Sequence, residues 1–153
     1  QNSQVDTVLK RLHEVASIRE KELNEDTLIY NANMTEMKPE VGHQLPIEMY
    51  REGYEYYVET HFHPNSHSCF LQRNLMDLMV YDPVQFMYLL DQPLLMMAGD
   101  HADTNYMSEQ AFELAITTKE KELYYLKDAT HIQTYYKESV VKEAIEKLDI
   151  FYK

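Results

Sequence analysis

Two short stretches carry residues able to move a proton. One is Pro93-Leu94-Leu95-Met96-Met97-Ala98-Gly99-Asp100-His101-Ala102-Asp103-Thr104, and the other is Lys127-Asp128-Ala129-Thr130-His131. In the first, an apolar run ends in a glycine and acids follow; the second presents a histidine. Acid before histidine is the order of the last two members of a Ser…Asp…His triad whose nucleophile comes first in the chain. In such a triad the imidazole takes the proton of the serine, while the acid fixes its tautomer and stabilises the imidazolium. Asp103 fits the acid and His131 the base, with Asp100, nearer the end of the apolar run, as the rival acid. The plain alternative is that Asp103 caps the segment after it and His131 is an ordinary loop histidine. The nucleophile is missing: there is no G-x-S-x-G, and the glycines are Gly42, Gly53 and Gly99. Ser66, Ser68 and Ser108 lie on no such elbow.

A second group of donors is His61, His63 and His67, with Cys69 two residues further on. Imidazole and thiolate suit zinc or another transition metal. The spacing nevertheless lacks the paired short gaps at two separate places that mark zinc signatures. A polar loop accounts for these residues more simply, and no metal or cofactor is expected. Tyrosines cluster at 54–57, 124–125 and 135–136; they line an aromatic pocket or, more simply, pack with their hydroxyls at the rim. The methionines from Met76 to Met97 read as adaptable core filler.

The elements that must position these groups can be read from period and punctuation. Val5, Val8, Leu9, Leu12, Val15, Ala16 and Ile18 recur at spacings of three and four, which predicts a helix capped by Asp6 and fading into the solvated run Arg19–Glu22. Residues 27–46 show no sustained period and read as a loop or extended arm. A helix is expected from Pro46 to Val58, with Tyr50, Tyr54 and Tyr57 on one face. A short helix follows over 71–79, and another begins at Asp82-Pro83 and runs to Leu90. Leu94–Ala98 has the look of a strand buried on both faces. Ser108 is expected to cap a helix to about Thr117. Glu122–Leu126 is the next strand, and Lys137–Tyr152 closes the chain as an amphipathic helix with Val140, Val141, Ala144, Ile145, Leu148 and Phe151 inward. Strand, helix, strand, helix implies a parallel pair joined by a crossover. Two such strands leave an incomplete sheet with an open edge.

From about Met49 onward the sequence resembles the C-terminal half of bacterial α/β-hydrolases of the dienelactone-hydrolase-like branch. The residues that carry the resemblance are Tyr50-Arg51-Glu52-Gly53-Tyr54-Glu55-Tyr56-Tyr57, His63-Pro64-Asn65-Ser66, Gln92-Pro93-Leu94-Leu95-Met96, Ala102-Asp103-Thr104 and Ala129-Thr130-His131. The resemblance implies an α/β fold consisting of two late parallel strands with flanking helices. Residues 49–153 would be the C-terminal part of the hydrolase domain, and residues 1–48 a helical cap or connecting segment. It implies Asp103 as triad acid and His131 as triad base of a serine hydrolase acting on a small ester or acyl substrate. One departure is Asp128, where the family commonly has glycine before Ala-Thr-His. The other is the absent nucleophile elbow and oxyanion-hole segment, without which no acyl-enzyme forms.

Composition bounds the rest. A chain of 153 residues, 44% hydrophobic and 26% charged, suits one globular domain. A net charge of −12 excludes nucleic acid as an expected partner, because phosphate binding needs clustered Lys and Arg. No apolar run approaches the roughly 18–20 residues of a membrane span. The N-terminus shows no signal peptide and no initiator Met, which suggests a trimmed piece, and the single cysteine fits a reducing, cytoplasmic compartment. The expectation is a serine-hydrolase fragment, esterase-like, inactive alone and completed by an N-terminal half. The alternative is a non-catalytic dimerisation or interaction module that pairs with a second copy, built from a hydrolase remnant.

Overall fold

The computed structural model describes residues 2–153, with side chains from Val5 on. Its helices are α1 (Asn2–Glu25), α2 (Pro39–Gly42), α3 (Glu48–Tyr54), α4 (Leu75–Val80), α5 (Asn105–Leu114) and α6 (Glu138–Phe151). The strands β1 (Leu94–Gly99) and β2 (Lys121–Leu126) pair in parallel, in register from Leu94↔Lys121 to Gly99↔Leu126. The expected strand–helix–strand–helix order is therefore observed, and the chain mixes helix with a parallel two-stranded sheet.

Parallel pairing sends both strand ends the same way, so the loops after Gly99 and Leu126 emerge side by side. They are stitched together by backbone: Asp100 N–H donates to Leu126 O at 3.0 Å and His101 N–H to Ala129 O at 2.9 Å. This close approach is why residue 99 is glycine. A Cβ there would lie 2.2 Å from the carbonyl oxygen of Ala129. Asp128 sits in the left-handed region at φ 51, a conformation that glycine adopts without steric cost. The core behind the loops consists of Leu126, Ala129 and Val140, with Met97, Tyr124 and Ala144 packed against it.

Several sequence expectations are corrected. α1 continues through the run expected to be solvated, because Arg19 is a docking residue. Its guanidinium donates to Arg73 O and to Asp77 Oδ2, both at 3.0 Å, while Glu22 is buried and receives Ile29 N–H at 2.8 Å. Asp6 lies inside α1 and caps nothing. The stripe's first half faces solvent: Val15 is buried, but Val5, Val8 and Leu9 are exposed. The helix expected over 82–90 is instead a turn, in which Asp82 Oδ1 accepts Val84 N–H, followed by a 3-10 turn at Met87–Leu89. The short side-chain bond at residue 82 competes with helix formation. Ser108 is interior to α5, whose N-cap position is Thr104. The helix expected over 46–58 is present, starting at Glu48 as α3 and widening at Glu55–Thr60 into a π-helical turn. Of its three tyrosines Tyr54 is buried, while Tyr50 and Tyr57 are exposed. On α6, Ile145 points outward at 59% exposure.

The apolar strand is also not buried on both faces. Leu94 to Ala98 are only half-buried, because among the described residues β1 pairs with β2 alone. The whole chain exposes 11309 Å² at a mass of 18.2 kDa, where a compact chain of that mass exposes about 8,100 Å².

Candidate functional site

β1 and β2 deliver residues 100–104 and 127–131 to the carboxyl edge of the sheet, the edge at which open parallel sheets bind ligands. Beside it lies an open cleft of about 640 Å³. Met97, Ala98 and Gly99 of β1 form one wall, Met107 and Ser108 of α5 another, and Met49 and Ala144 contribute from α3 and α6. His131, Thr104, Ser108, Thr134 and Tyr135 are its polar side chains. No Asp, Glu, Lys or Arg lines it, in a chain that carries 26 acidic and 14 basic residues.

His131 is half-buried at the head of a 3-10 turn, Ile132–Tyr135. Ile132 is buried and anchors the turn. Thr134 Oγ1 donates to His131 O at 2.7 Å. The imidazole has two partners: Tyr135 Oη lies 2.6 Å from Nε2 and Thr104 Oγ1 lies 3.4 Å from Nδ1. Both were missed in the sequence, although Tyr135 stands four residues after the histidine and Thr104 directly follows the expected acid.

The two candidate acids are placed differently. Asp100 turns into the second loop, where its Oδ1 accepts Ala129 N–H at 3.1 Å. That backbone hydrogen bond, with others from Asp128 and residue 100 itself and with His101 nearby, holds its carboxyl below the usual carboxylate range, against a smaller opposing effect of burial. Asp100 is thus a loop fastener and is committed away from His131. Asp103 is exposed in the turn before α5, on the same sheet edge as His131. Among the described residues no ion pair within 4.0 Å joins the two, and Nδ1 faces Thr104.

The histidines of the 61–69 loop do not converge. His61 stacks on Tyr56 with ring centroids 4.5 Å apart, and His63 Nδ1 accepts Asn65 N–H at 3.1 Å. Among the described residues, the group whose ligand-type atoms gather within 4.8 Å is Asp100, His101 and Asp128, all exposed. This places the Asp128 carboxylate beside Asp100. An aromatic cluster flanks the catalytic candidate: Tyr56 from the π-helical turn stacks on Tyr136 at 5.3 Å and meets Tyr135 at 5.7 Å. Burial foremost, with Tyr57 and Tyr56 alongside, pushes the Tyr135 phenol upward.

The sequence matches no family model and no curated protein. Among solved structures it resembles a crystal structure described as hypothetical protein PA2218 from Pseudomonas aeruginosa. The TM-score is 0.72 and the identity 20%, over 92% of this chain and 43% of that one. This chain therefore spans less than half the length of its structural neighbour, and the likeness concerns the fold alone. No helix among the described residues is long and apolar enough to cross a membrane.

Proposed function

We propose that this chain carries the base and acid of an α/β-hydrolase-type serine hydrolase, with the nucleophile supplied by residues outside it. The observation that carries the reading is that the loops after two parallel strands meet at one sheet edge, where His131 faces an uncharged cleft. His131 is the general base toward the serine hydroxyl, and Asp103 takes Nδ1, the position now faced by the Thr104 hydroxyl. Asp100 is left out of the chemistry because it holds the 127–131 loop. The cleft suits a neutral ester or acyl group, since no Asp, Glu, Lys or Arg lines it. The open edge of β1 and a structural neighbour more than twice as long both favour completion by further strands.

The test joins this chain to an upstream segment bearing a G-x-S-x-G elbow and follows labelling by a fluorophosphonate. His131→Ala is expected to slow labelling at least about a thousandfold, with Asp103→Asn lowering it as well. Undiminished labelling of His131→Ala would remove the histidine from the mechanism.

The excess accessible surface favours a second reading, a non-catalytic module that pairs through the β1 edge with another copy. Sedimentation decides it, because a monomer at high concentration is incompatible with edge pairing.

A further inference from the structure

A neutral imidazole carries one N–H, so its two contacts fix one another. Either Tyr135 donates into Nε2 and Nδ1–H points to Thr104, or the proton order is reversed along the whole chain of three groups. The shorter contact favours the first. A hydroxyl donor makes bonds of about 2.5–3.0 Å, whereas an N–H donor needs about 2.7–3.2 Å. The 2.6 Å contact at Nε2 falls within the first range and outside the second. The 3.4 Å contact at Nδ1 lies beyond both ranges, so the Nε2 contact is the tighter of the two. Burial foremost, then Tyr57 through its charge and a side-chain hydrogen bond, and Tyr56, push the phenol upward. The covalent path is also short and stiff: one 3-10 turn, anchored by buried Ile132, returns residue 135 to residue 131. The two rings meet edge to face at 5.3 Å.

We propose that Tyr135 is a positioning residue whose hydroxyl donates to Nε2 of His131 and holds the imidazole in the Nδ1–H tautomer. The functional meaning rests on the reading of His131 as the base. In a working triad that tautomer offers Nδ1–H to the acid and the Nε2 lone pair to the proton to be removed. The Tyr135 hydroxyl then occupies the place of the nucleophile's hydroxyl. It keeps the base in its working form, with the lone pair covered, until a serine displaces the phenol.

The chain as it stands can be tested. Uniform ¹⁵N labelling and long-range ¹H–¹⁵N correlation, at a pH above the imidazole titration, report the tautomer of each of the seven histidines. The His131 signals are assigned with a His131→Gln variant. The expected result is His131 predominantly in the Nδ1–H form, moving predominantly to Nε2–H in Tyr135→Phe while the other histidines keep theirs. A loss of packing alone does not predict that selective change. A wild-type His131 mainly in the Nε2–H form overturns the proposal, and so does a Tyr135→Phe spectrum with the Nδ1–H population intact. The wild-type spectrum decides even if the variant does not fold. The labelling experiment on His131→Ala tests the base reading separately, so the failure of one is distinguishable from the failure of the other.

Discussion

At the scale of single residues, the candidate site depends on a contact where no side chain fits. Gly99 brings β1 against the Ala129 carbonyl, and Gly99→Ala must push the 127–131 loop away. Because the obstruction is backbone, we expect a loss of about 2–3 kcal/mol in urea unfolding, with the His131 resonances displaced. Asp100 yields a pH prediction. Its carboxyl is held low mainly by the Ala129 N–H, so its contribution to stability is fully present above the unfolded value of about 3.9. That contribution is lost as pH falls through the lower folded value. The wild type is therefore expected to lose stability more steeply below about pH 4 than Asp100→Ala, measured as the urea midpoint against pH. An equal slope in both proteins would show that the carboxylate carries no such linkage.

At the scale of elements, α3 is fastened to the chain before it by one ring. Tyr54 is 1% exposed and lies over Gly42, where a Cβ would sit 2.6 Å from its ring carbons; its hydroxyl donates to Met37 O at 3.3 Å. Tyr54→Ala is expected to lower the melting temperature more than Tyr50→Ala or Tyr57→Ala, whose rings are exposed. These three tyrosines share helical spacing, so period alone could not rank them. The widening of the helix at Glu55 rotates Tyr57 out of line. Strong patterns were legible in the sequence: both strands and α6 lie where apolar period put them, and α1 and α5 exist as expected although their caps were misplaced. Features that depend on distant partners were not. Arg19 and Glu22 look like a solvated run until α4 arrives beside them, and Asp82-Pro83 looks like a helix start although the Asp82 side chain closes a turn instead. At the site, the candidate acid and base, Asp103 and His131, reach one edge because the strands are parallel, which the sequence order implied. The choice of Asp100 as fastener, and of Thr104 and Tyr135 as partners of His131, depended on side-chain direction that residue type does not encode.

At the scale of the whole molecule, the shortfall in burial is the dominant fact. The chain exposes about 3,000 Å² more than a compact chain of its mass, and Val5, Val8 and Leu9 on α1 and Ile145 and Ile150 on α6 are among the apolar groups left in solvent. Urea sensitivity scales with the surface exposed on unfolding. The isolated chain is therefore expected to show a smaller m-value than compact domains of equal length. A partner that covers the β1 edge should raise both the m-value and, by mass action, the melting temperature. An m-value typical of a 153-residue globular chain would mean that the exposed surface is closed in solution.

The run Leu94-Leu95-Met96-Met97-Ala98 also has a meaning outside the native state. It is a short, uncharged, strand-forming window with an unpaired edge, the composition from which steric zippers grow. Pro93 stands immediately before it and Asp100 follows Gly99, one unable to donate to a growing ladder and the other charged, the flanking pattern of gatekeepers. A partner that covered this edge would also guard against fibril growth. In the chain made alone and concentrated, Pro93 and Asp100 are the gatekeepers that flank this strand.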